Sequence, residues 1–395
     1  MPSSPDLLGM PRELRDMIYK EYARTKHGYL FNFRTGKLTA EQNRPIDLSL
    51  MYTCRLIAEE MLAAVFEVNT IVFELVNSSE LLSRVSRFSI DFTSLQRNEI
   101  DILRRVSTII TPSMANSVLN HFPQFRAQMD LSSTNPVGRF LQISADRDSL
   151  KEAPSMRRSF IKHLLLKAQE HYRFWEFAPD LGRIDMDPTA ILSVGLAPWA
   201  VPSDEELDLM EQALGAHIGS LRSYTSLDLH WRQGESGFSA ASAAIQFLYS
   251  IPEAVRSLVR NVLLLEDTYS VAYPQCHVQG LIPLCVENSQ LRIARRVSLW
   301  STMLDDLSGN IDLSYISSEG LSGRAIHQAI VPWILEAAAL PSLGMPAGSF
   351  TFIIDGTSSP RRSSKIFEVV KRDTRWRLEY EEDAELGVAL CPIVD

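Results

Sequence analysis

The sequence RNVLLLE, residues 260–266, places four consecutive apolar residues between polar ends. Runs of this kind, like HLLL at 163–166, are typical of parallel strands whose two faces are both covered. In TIVFELV, residues 70–76, the β-branched and aromatic content also favours a strand. Comparable bursts recur along the chain: TIVFELV (70–76), RRVSTII (104–110), IKHLLLK (161–167), TSLDLHW (225–231), RRVSLWS (295–301) and FTFIIDG (350–356).

Segments with a helical pattern lie between several of these bursts. They are PSDEELDLMEQALGAHIGSL (202–221), SAASAAIQFLYSIPEAVRSLV (239–259), GLIPLCVENSQLRIA (280–294) and GRAIHQAIVPWILEAAAL (323–340). Because neighbouring parallel strands need a crossover, which a helix supplies, the alternation predicts a mainly parallel sheet in an α/β or α+β protein. Two arrangements fit: a single-faced curved sheet, as in degenerate leucine-rich repeats, and an open α/β sheet.

The chain begins with a candidate helix, LLGMPRELRDMIYKEY, at residues 7–22. Proline suits the first turn of a helix, because its missing N–H would have no partner there. The apolar side chains recur at intervals of three and four residues and predict one apolar stripe along the helix. The stripe consists of Leu14, Met17, Ile18 and Tyr22.

Hairpins and a second helix complete the predicted elements. YLFNF and KLTAE flank Arg34–Gly36 and predict a hairpin, and LSLMYTCRLIAEEMLAAVFE, 48–67, predicts a helix. Near the C-terminus, KIFEVVKRDTRWRLEYEED predicts another hairpin after the loop GTSSPRRSS. We therefore divide the chain into a helical segment with an inserted hairpin at 1–75 and an α/β region at 76–395.

The composition restricts the class of partner and the compartment. The formal charge of −9 does not favour attraction of the whole surface to nucleic acid or to an anionic membrane, since that attraction needs a positive surplus. Four cysteines are too few for a disulfide framework in 395 residues. We find neither a signal-peptide pattern nor a long apolar run, so we expect the cytoplasm or the nucleus.

The densest group of reactive residues is Cys276, His277 and Cys285. Zinc needs four ligands in paired short spacings, and this group offers no fourth ligand. Cys276 and His277 are adjacent in sequence, so a nucleophilic pair is not expected. His163 and His230 fall in predicted strands as structural histidines. The sequence also contains no glycine-rich phosphate loop. We therefore expect no metal, no cofactor and no catalytic residues.

The opening segment MPRELRDMIYKEY resembles the first helix of the F-box and F-box-like domains found in filamentous fungi. In that helix a Leu–Pro pair precedes Glu–Leu and an Ile on the same face, and Met10, Pro11, Glu13, Leu14 and Ile18 occupy these positions here. The following LMYTCRLIAEEMLAAVFEVNTIVFE resembles the fungal F-box-like continuation. Residues 255–301 are similar to a segment of uncharacterised fungal proteins of this kind.

The resemblance implies a role in protein–protein interaction. Met10, Pro11, Leu14 and Ile18 would contact a Skp-type adaptor of a cullin-RING ubiquitin ligase, and the α/β region would hold a protein substrate. The implied mode of binding is a helix laid in an apolar groove.

Two other classes of function stay open. One is an enzyme with a pocket at the carboxyl ends of the strands, where open α/β sheets bind ligands. Its candidate groups are Asp228, His230, Glu266, Asp267 and Asp355. The other is a scaffold in which the opening stripe is buried against Cys54, Ile57 and Met61. Exposure of the stripe distinguishes the scaffold from the adaptor-binding protein.

Overall fold

A mainly parallel sheet of six strands lies in the part of the chain that the structure describes. This computed structural model describes residues 7–41, 44–145, 152–179, 187–215, 236–304 and 323–371. The strands are β1 Tyr29–Asn32, β2 Lys37–Thr39, β3 Thr70–Glu74, β4 Asn261–Glu266, β5 Arg292–Ser298 and β6 Phe350–Asp355. Their order is β2-β1-β3-β4-β5-β6; β1 and β2 are antiparallel, and every other pair is parallel. The predicted mainly parallel sheet is confirmed.

Helices make up most of the remaining described structure. The α-helices are α1 Arg12–Ala23, α2 Arg55–Glu67, α3 Leu82–Val106, α4 Pro112–Leu119, α5 Gly138–Ala145, α6 Pro154–Gln169, α7 Phe174–Phe177, α8 Pro188–Ser193, α9 Asp204–Leu214, α10 Ala240–Ser250, α11 Glu253–Arg256, α12 Ile282–Glu287, α13 Gly323–Ala339 and α14 at 360–371. Short 3₁₀-helices include Ser49–Tyr52, Ser107–Ile109 and Pro274–Leu281, and Leu299–Met303 forms a π-helix.

One face of the sheet carries the main core. Along β4, Val262, Leu264 and Glu266 are buried, whereas Leu263 and Leu265 on the other face are half-buried. The same alternation continues in β5. The sequence predicted that VLLL is covered on both faces. Within the described residues, one face of the strand is buried and the other is only partly covered.

The neighbours β3 and β4 are far apart in sequence. Residues 75–260 lie between them and contain α3 to α11. Within this region α3 packs against α6 and α9, and α10 packs on β3 and β4. A large helical insertion therefore separates two adjacent strands.

Two predicted strands are helical. RRVSTII forms the end of α3 and the 3₁₀-helix Ser107–Ile109, and IKHLLLK lies inside α6. Ile161, Leu164, Leu165 and Ala168 are buried at helical spacing, so the leucine run contributes to one face of a helix. His163 is correspondingly on a helix, and not on a strand.

Other predicted elements are shorter or different. The second helix begins at Arg55, after a separate 3₁₀-helix. The predicted helix at 280–294 is limited to 282–287, because Arg292 begins β5. Residues 365–371 belong to α14 and not to a hairpin strand. TSLDLHW and the end of the predicted C-terminal hairpin lie outside the described residues.

The helices α1 and α2 run in the same direction. Arg15 binds Glu60, Lys20 binds Glu67, and the Ala23 carbonyl accepts from Asn69, so the contacts advance together along both helices. Each helix leads into a strand, and these strands, β1 and β3, pair in parallel. Because β3 also pairs with β4, the sheet is continuous across residue 75.

None of the described helices carries an apolar stretch long enough to cross a membrane.

Candidate functional site

The predicted apolar stripe of α1 faces outward. Leu14 is 44% exposed, Met17 60%, Ile18 39% and Tyr22 40%. Of the other two implied adaptor contacts, Pro11 is exposed and Met10 is half-buried. Leu14, Met17, Ile18 and Tyr22 lie on successive turns of one helix and form a continuous apolar surface. We call this surface the outer face of α1. Contiguous exposed apolar surface of this kind marks interaction sites.

The opposite side of α1 is held by a buried carboxylate. Arg15 donates two hydrogen bonds to Glu60 on α2, Nε to Oε2 at 2.9 Å and Nη2 to Oε1 at 2.6 Å. The hydroxyl of Tyr19 also donates to Glu60 Oε2, at 3.0 Å. Arg12 adds an ion pair at 2.8 Å. The hydrogen bond from Arg15 is the main cause that lowers the pKa of Glu60 to about 2.

Apolar residues of α1 and α2 also pack together on this inner side of α1. Tyr19 and Ala23 pack in one cluster with Tyr29, Ile57 and Met61. The scaffold alternative expected Ile57 and Met61 to cover the predicted stripe; they pack against the side of α1 that carries Tyr19. Paired polar groups therefore decide which side of the helix is buried, and the more apolar side is left outside.

Asn69 fixes the other end of the helix pair. Its amide nitrogen donates to the carbonyls of Ala23 and Val65, at 2.8 and 3.0 Å, and to the hydroxyl of Tyr29 at 2.9 Å. Its side-chain oxygen accepts from the backbone N–H and the hydroxyl of Thr25. Burial raises the pKa of Tyr29 to about 12. One buried amide thereby joins the ends of both helices and both following strands.

Of the candidate groups of the enzyme alternative, Asp228 and His230 lie outside the described residues. Glu266 is buried and accepts from Arg295 Nη2 at 3.0 Å. Asp355 accepts from the hydroxyl and backbone N–H of Thr357, which lowers its pKa. Asp267 is exposed. Glu266 and Asp355 are each paired with a different arginine, Arg295 and Arg296.

The structure contains a buried serine–histidine pair that the sequence analysis missed. His277 Nε2 lies 2.9 Å from the carbonyl of Ala272, so this nitrogen carries the proton. His277 Nδ1 is then an acceptor for the Ser239 hydroxyl, at 2.7 Å. Burial lowers the pKa of His277 to about 3, which keeps the ring neutral. Ser239 also caps α10 by accepting from the N–H of Ser242.

Both partners of this pair are fully buried, and their 38-residue separation carries no sequence signal. The pair connects the start of α10 to the 3₁₀-helix Pro274–Leu281, and its role in this geometry is to satisfy polar groups inside the core. A nucleophile would need access to a substrate, which neither residue has.

Cys276 and Cys285 are protonated thiols in the folded protein. Burial raises the pKa of Cys276 and of Cys285 to about 11. Cys276 Sγ contacts Arg158 Nη2 at 3.0 Å. Within the described residues, no group of three or more His, Cys, Asp or Glu side chains is placed to hold a metal ion.

No family model matches the chain, and no match was found among curated proteins or among solved structures.

Proposed function

We propose that this chain is a fungal F-box-like protein whose outer face of α1 binds a Skp-type adaptor, which makes the chain a substrate receptor of a cullin-RING ubiquitin ligase. Met10, Pro11, Leu14 and Ile18 are the contact residues. The observation that carries the proposal is the exposure of Leu14 and Ile18 while the opposite side of the same helix is bound to Glu60. The scaffold alternative expected these side chains to be buried.

The binding mode is that of an amphipathic helix in an apolar groove. Full burial of a leucine or isoleucine contributes about 1.5–3 kcal/mol, so completing the burial of a side chain that is already half-covered contributes roughly 1 kcal/mol. The contributions of several such side chains on consecutive turns add up to a substantial favourable free energy of binding. Because α1 is already held by α2, little ordering of the helix is required on binding.

The proposal assigns recognition of another protein to the α/β region, in the cytoplasm or the nucleus. The sheet and the helical region between β3 and β4 are formed by elements other than α1. Adaptor and substrate would therefore occupy separate parts of the chain.

The test is capture of a purified Skp-type adaptor by the full chain. We expect capture by the unmodified chain and its loss in the Leu14→Asp plus Ile18→Asp variant. Leu209→Asp is the matched control, since Leu209 is 65% exposed on α9 and has no part in the proposed contact. Failure of the unmodified chain to bind, or equal loss in the Leu209 variant, would overturn the proposal.

A further inference from the structure

Two adjacent arginines follow β6 without a counter-charge. The loop after β6 and the first turn of α14 have the sequence GTSSPRRSS, residues 356–364. Arg361 and Arg362 are exposed, and within the described residues neither side chain forms an ion pair or a hydrogen bond. The first turn of α14 contains no acidic residue. Because the N-terminus is the positive end of the helix dipole, two cations here are unfavourable.

Ser359 directly precedes this turn and leaves its hydroxyl unused. Its carbonyl accepts from the N–H of Ser363 at 2.9 Å, so Ser359 is the N-cap residue and Pro360 is the first residue of α14. A serine at an N-cap ordinarily accepts a hydrogen bond from an N–H of the first turn. Within the described residues, Ser359 Oγ makes no hydrogen bond and is accessible to solvent. The backbone N–H groups of Arg361 and Arg362 also lack an acceptor there.

Three other described helices that begin with proline have an acceptor at this place. In each of them a side-chain oxygen accepts from an N–H of the first turn: Thr111 at α4, Asp187 at α8 and Glu336 at α6. None of these three first turns combines an unused hydroxyl with two unpaired arginines. The start of α14 therefore differs from that of comparable helices in the described part of the chain.

The inner side of the same turn is held in place. Ser363 is buried, and its Oγ accepts from Trp300 Nε1 at 2.9 Å and donates to the carbonyl of Gly356 at 2.8 Å. A Cβ atom on Gly356 would lie 2.6 Å from this Oγ, so the close approach requires glycine. Ile366, one turn further on, is buried in the cluster that contains Leu299. The first turn of α14 is thus packed on one side, with its arginines and the Ser359 hydroxyl on the accessible side.

We propose that Ser359 is a phosphorylation site for a proline-directed serine kinase, and that Arg361, Arg362 and their N–H groups bind the phosphate. The residue before a proline is biased towards an extended backbone, the form in which a kinase binds its acceptor serine. A phosphoserine carries a charge of about −1.5 to −2 and three acceptor oxygens, which suit guanidinium groups and a helix N-terminus. The proposal does not depend on the outer face of α1.

The modification is a phosphoryl transfer from ATP. Ser359 Oγ forms a bond to the γ-phosphorus, and the bond between that phosphorus and the β,γ-bridging oxygen breaks. ADP leaves with the electron pair, and the hydroxyl proton passes to the catalytic aspartate of the kinase. The product has a dianionic group where the unmodified chain has a neutral hydroxyl, so the charge at the start of α14 is reversed.

The first experiment incubates the full chain with a purified proline-directed kinase and ATP, and maps phosphate by mass spectrometry. We expect phosphate at Ser359 and not at Thr111, whose hydroxyl is bound to the Met114 N–H and whose helix starts without arginines. Peptide mapping separates Ser359 from Ser4, the other serine that precedes a proline. Phosphate at Ser364 in place of Ser359, equal phosphate at Thr111, or no phosphate at Ser359 overturns the proposal.

Variants test the determinants of the reaction. Ser359→Ala should lose the phosphate, and Pro360→Ala, which keeps the hydroxyl, should react at least about tenfold more slowly. Lys371→Gln is the matched control, because it removes a positive charge from the exposed other end of α14. Its rate should be unchanged. A normal melting transition shows that each variant is folded, and equal rates for the Pro360 and Lys371 variants overturn the proposal.

A second measurement tests the partners of the phosphate. Amide hydrogen exchange of residues 361–363 should become at least about threefold slower on phosphorylation, because the phosphate stabilises the first turn. The double variant Arg361→Gln plus Arg362→Gln, phosphorylated by longer incubation, should lose most of this protection, whereas phosphorylated Lys371→Gln should keep it. Unchanged exchange on phosphorylation, or equal protection in both variants, overturns the assignment of the arginines.

Discussion

Arg15 and Glu60 form a two-point hydrogen-bonded ion pair between α1 and α2, and this pair determines which side of α1 is turned outward. An arginine in the middle of an apolar helix pattern would ordinarily be assigned to solvent. Here the arginine is inside and Leu14 and Ile18 are outside.

We predict that Glu60→Gln destabilises the N-terminal helices far more than Glu59→Gln, because Glu59 is exposed and pairs with the exposed Arg55. The pKa of Glu60 is lowered from 4.5 to about 2, so its stabilising contribution is complete above pH 4.5 and is lost as the pH falls towards 2. Thermal melts of both variants from pH 7 to pH 2 test this. Equal melting temperatures at pH 7 would contradict it.

Asn69→Ala should cost at least about 3 kcal/mol, since it leaves several buried hydrogen-bonding groups without a partner. Asn77→Ala is the control, because Asn77 is an exposed asparagine in the following loop. Urea unfolding of the two variants measures the difference. A cost for Asn69→Ala below that of the control would show that the Asn69 network does not hold the helix ends.

Replacing one partner of the buried Glu266–Arg295 ion pair should destabilise the protein. Replacing both partners together should cost less stability. Glu266→Gln leaves the Arg295 charge without its partner and should cost about 3–5 kcal/mol. The double variant Glu266→Gln plus Arg295→Met should recover part of this loss, because Trp333, 4.8 Å from the Arg295 guanidinium, can pack on methionine. A double-mutant cycle by chemical unfolding provides the measurement; strictly additive costs would refute the coupling.

His277 should make stability fall on acidification. Its pKa is lowered from 6.5 to about 3 by burial, so the unfolded chain binds the extra proton first, and stability decreases as the pH falls from 6.5 towards 3. The slope from this one group approaches about 1.4 kcal/mol per pH unit. His277→Gln should flatten the profile in this range. His163→Gln, at an exposed histidine on α6, is the control variant, and a profile flattened equally by both substitutions would contradict the role of His277.

β-Branched and aromatic content predicted the strands only in part, because RRVSTII has four β-branched residues and yet forms the end of α3 and a 3₁₀-helix. TIVFELV, RRVSLWS and FTFIIDG contain β3, the end of β5 and β6, and RNVLLLE contains β4. IKHLLLK lacks that content, and its buried residues follow the helical period. Apolar composition alone therefore did not separate a strand from a buried helix.

The sequence predicted that the apolar side chains of the candidate site share one side of α1. It did not predict that this side is exposed to solvent. The spacing of Leu14, Ile18 and Tyr22 places them on one side of a helix, whichever way that side is turned. Its outward orientation depends on Glu60, 45 residues after Arg15, and such a long-range pairing has no local signature. The Ser239–His277 pair also has no local sequence signature, because its two residues are 38 positions apart.

The separation of β3 from β4 has a consequence for synthesis of the chain. About 190 residues must leave the ribosome after β3 before its second neighbour is available. At 5–20 residues per second, this takes roughly 10 to 40 seconds. During that time the β1–β3 unit presents an open backbone edge to other nascent chains. We expect chaperone occupancy to peak in this interval, and aggregation to be the main fate of chains truncated before residue 261.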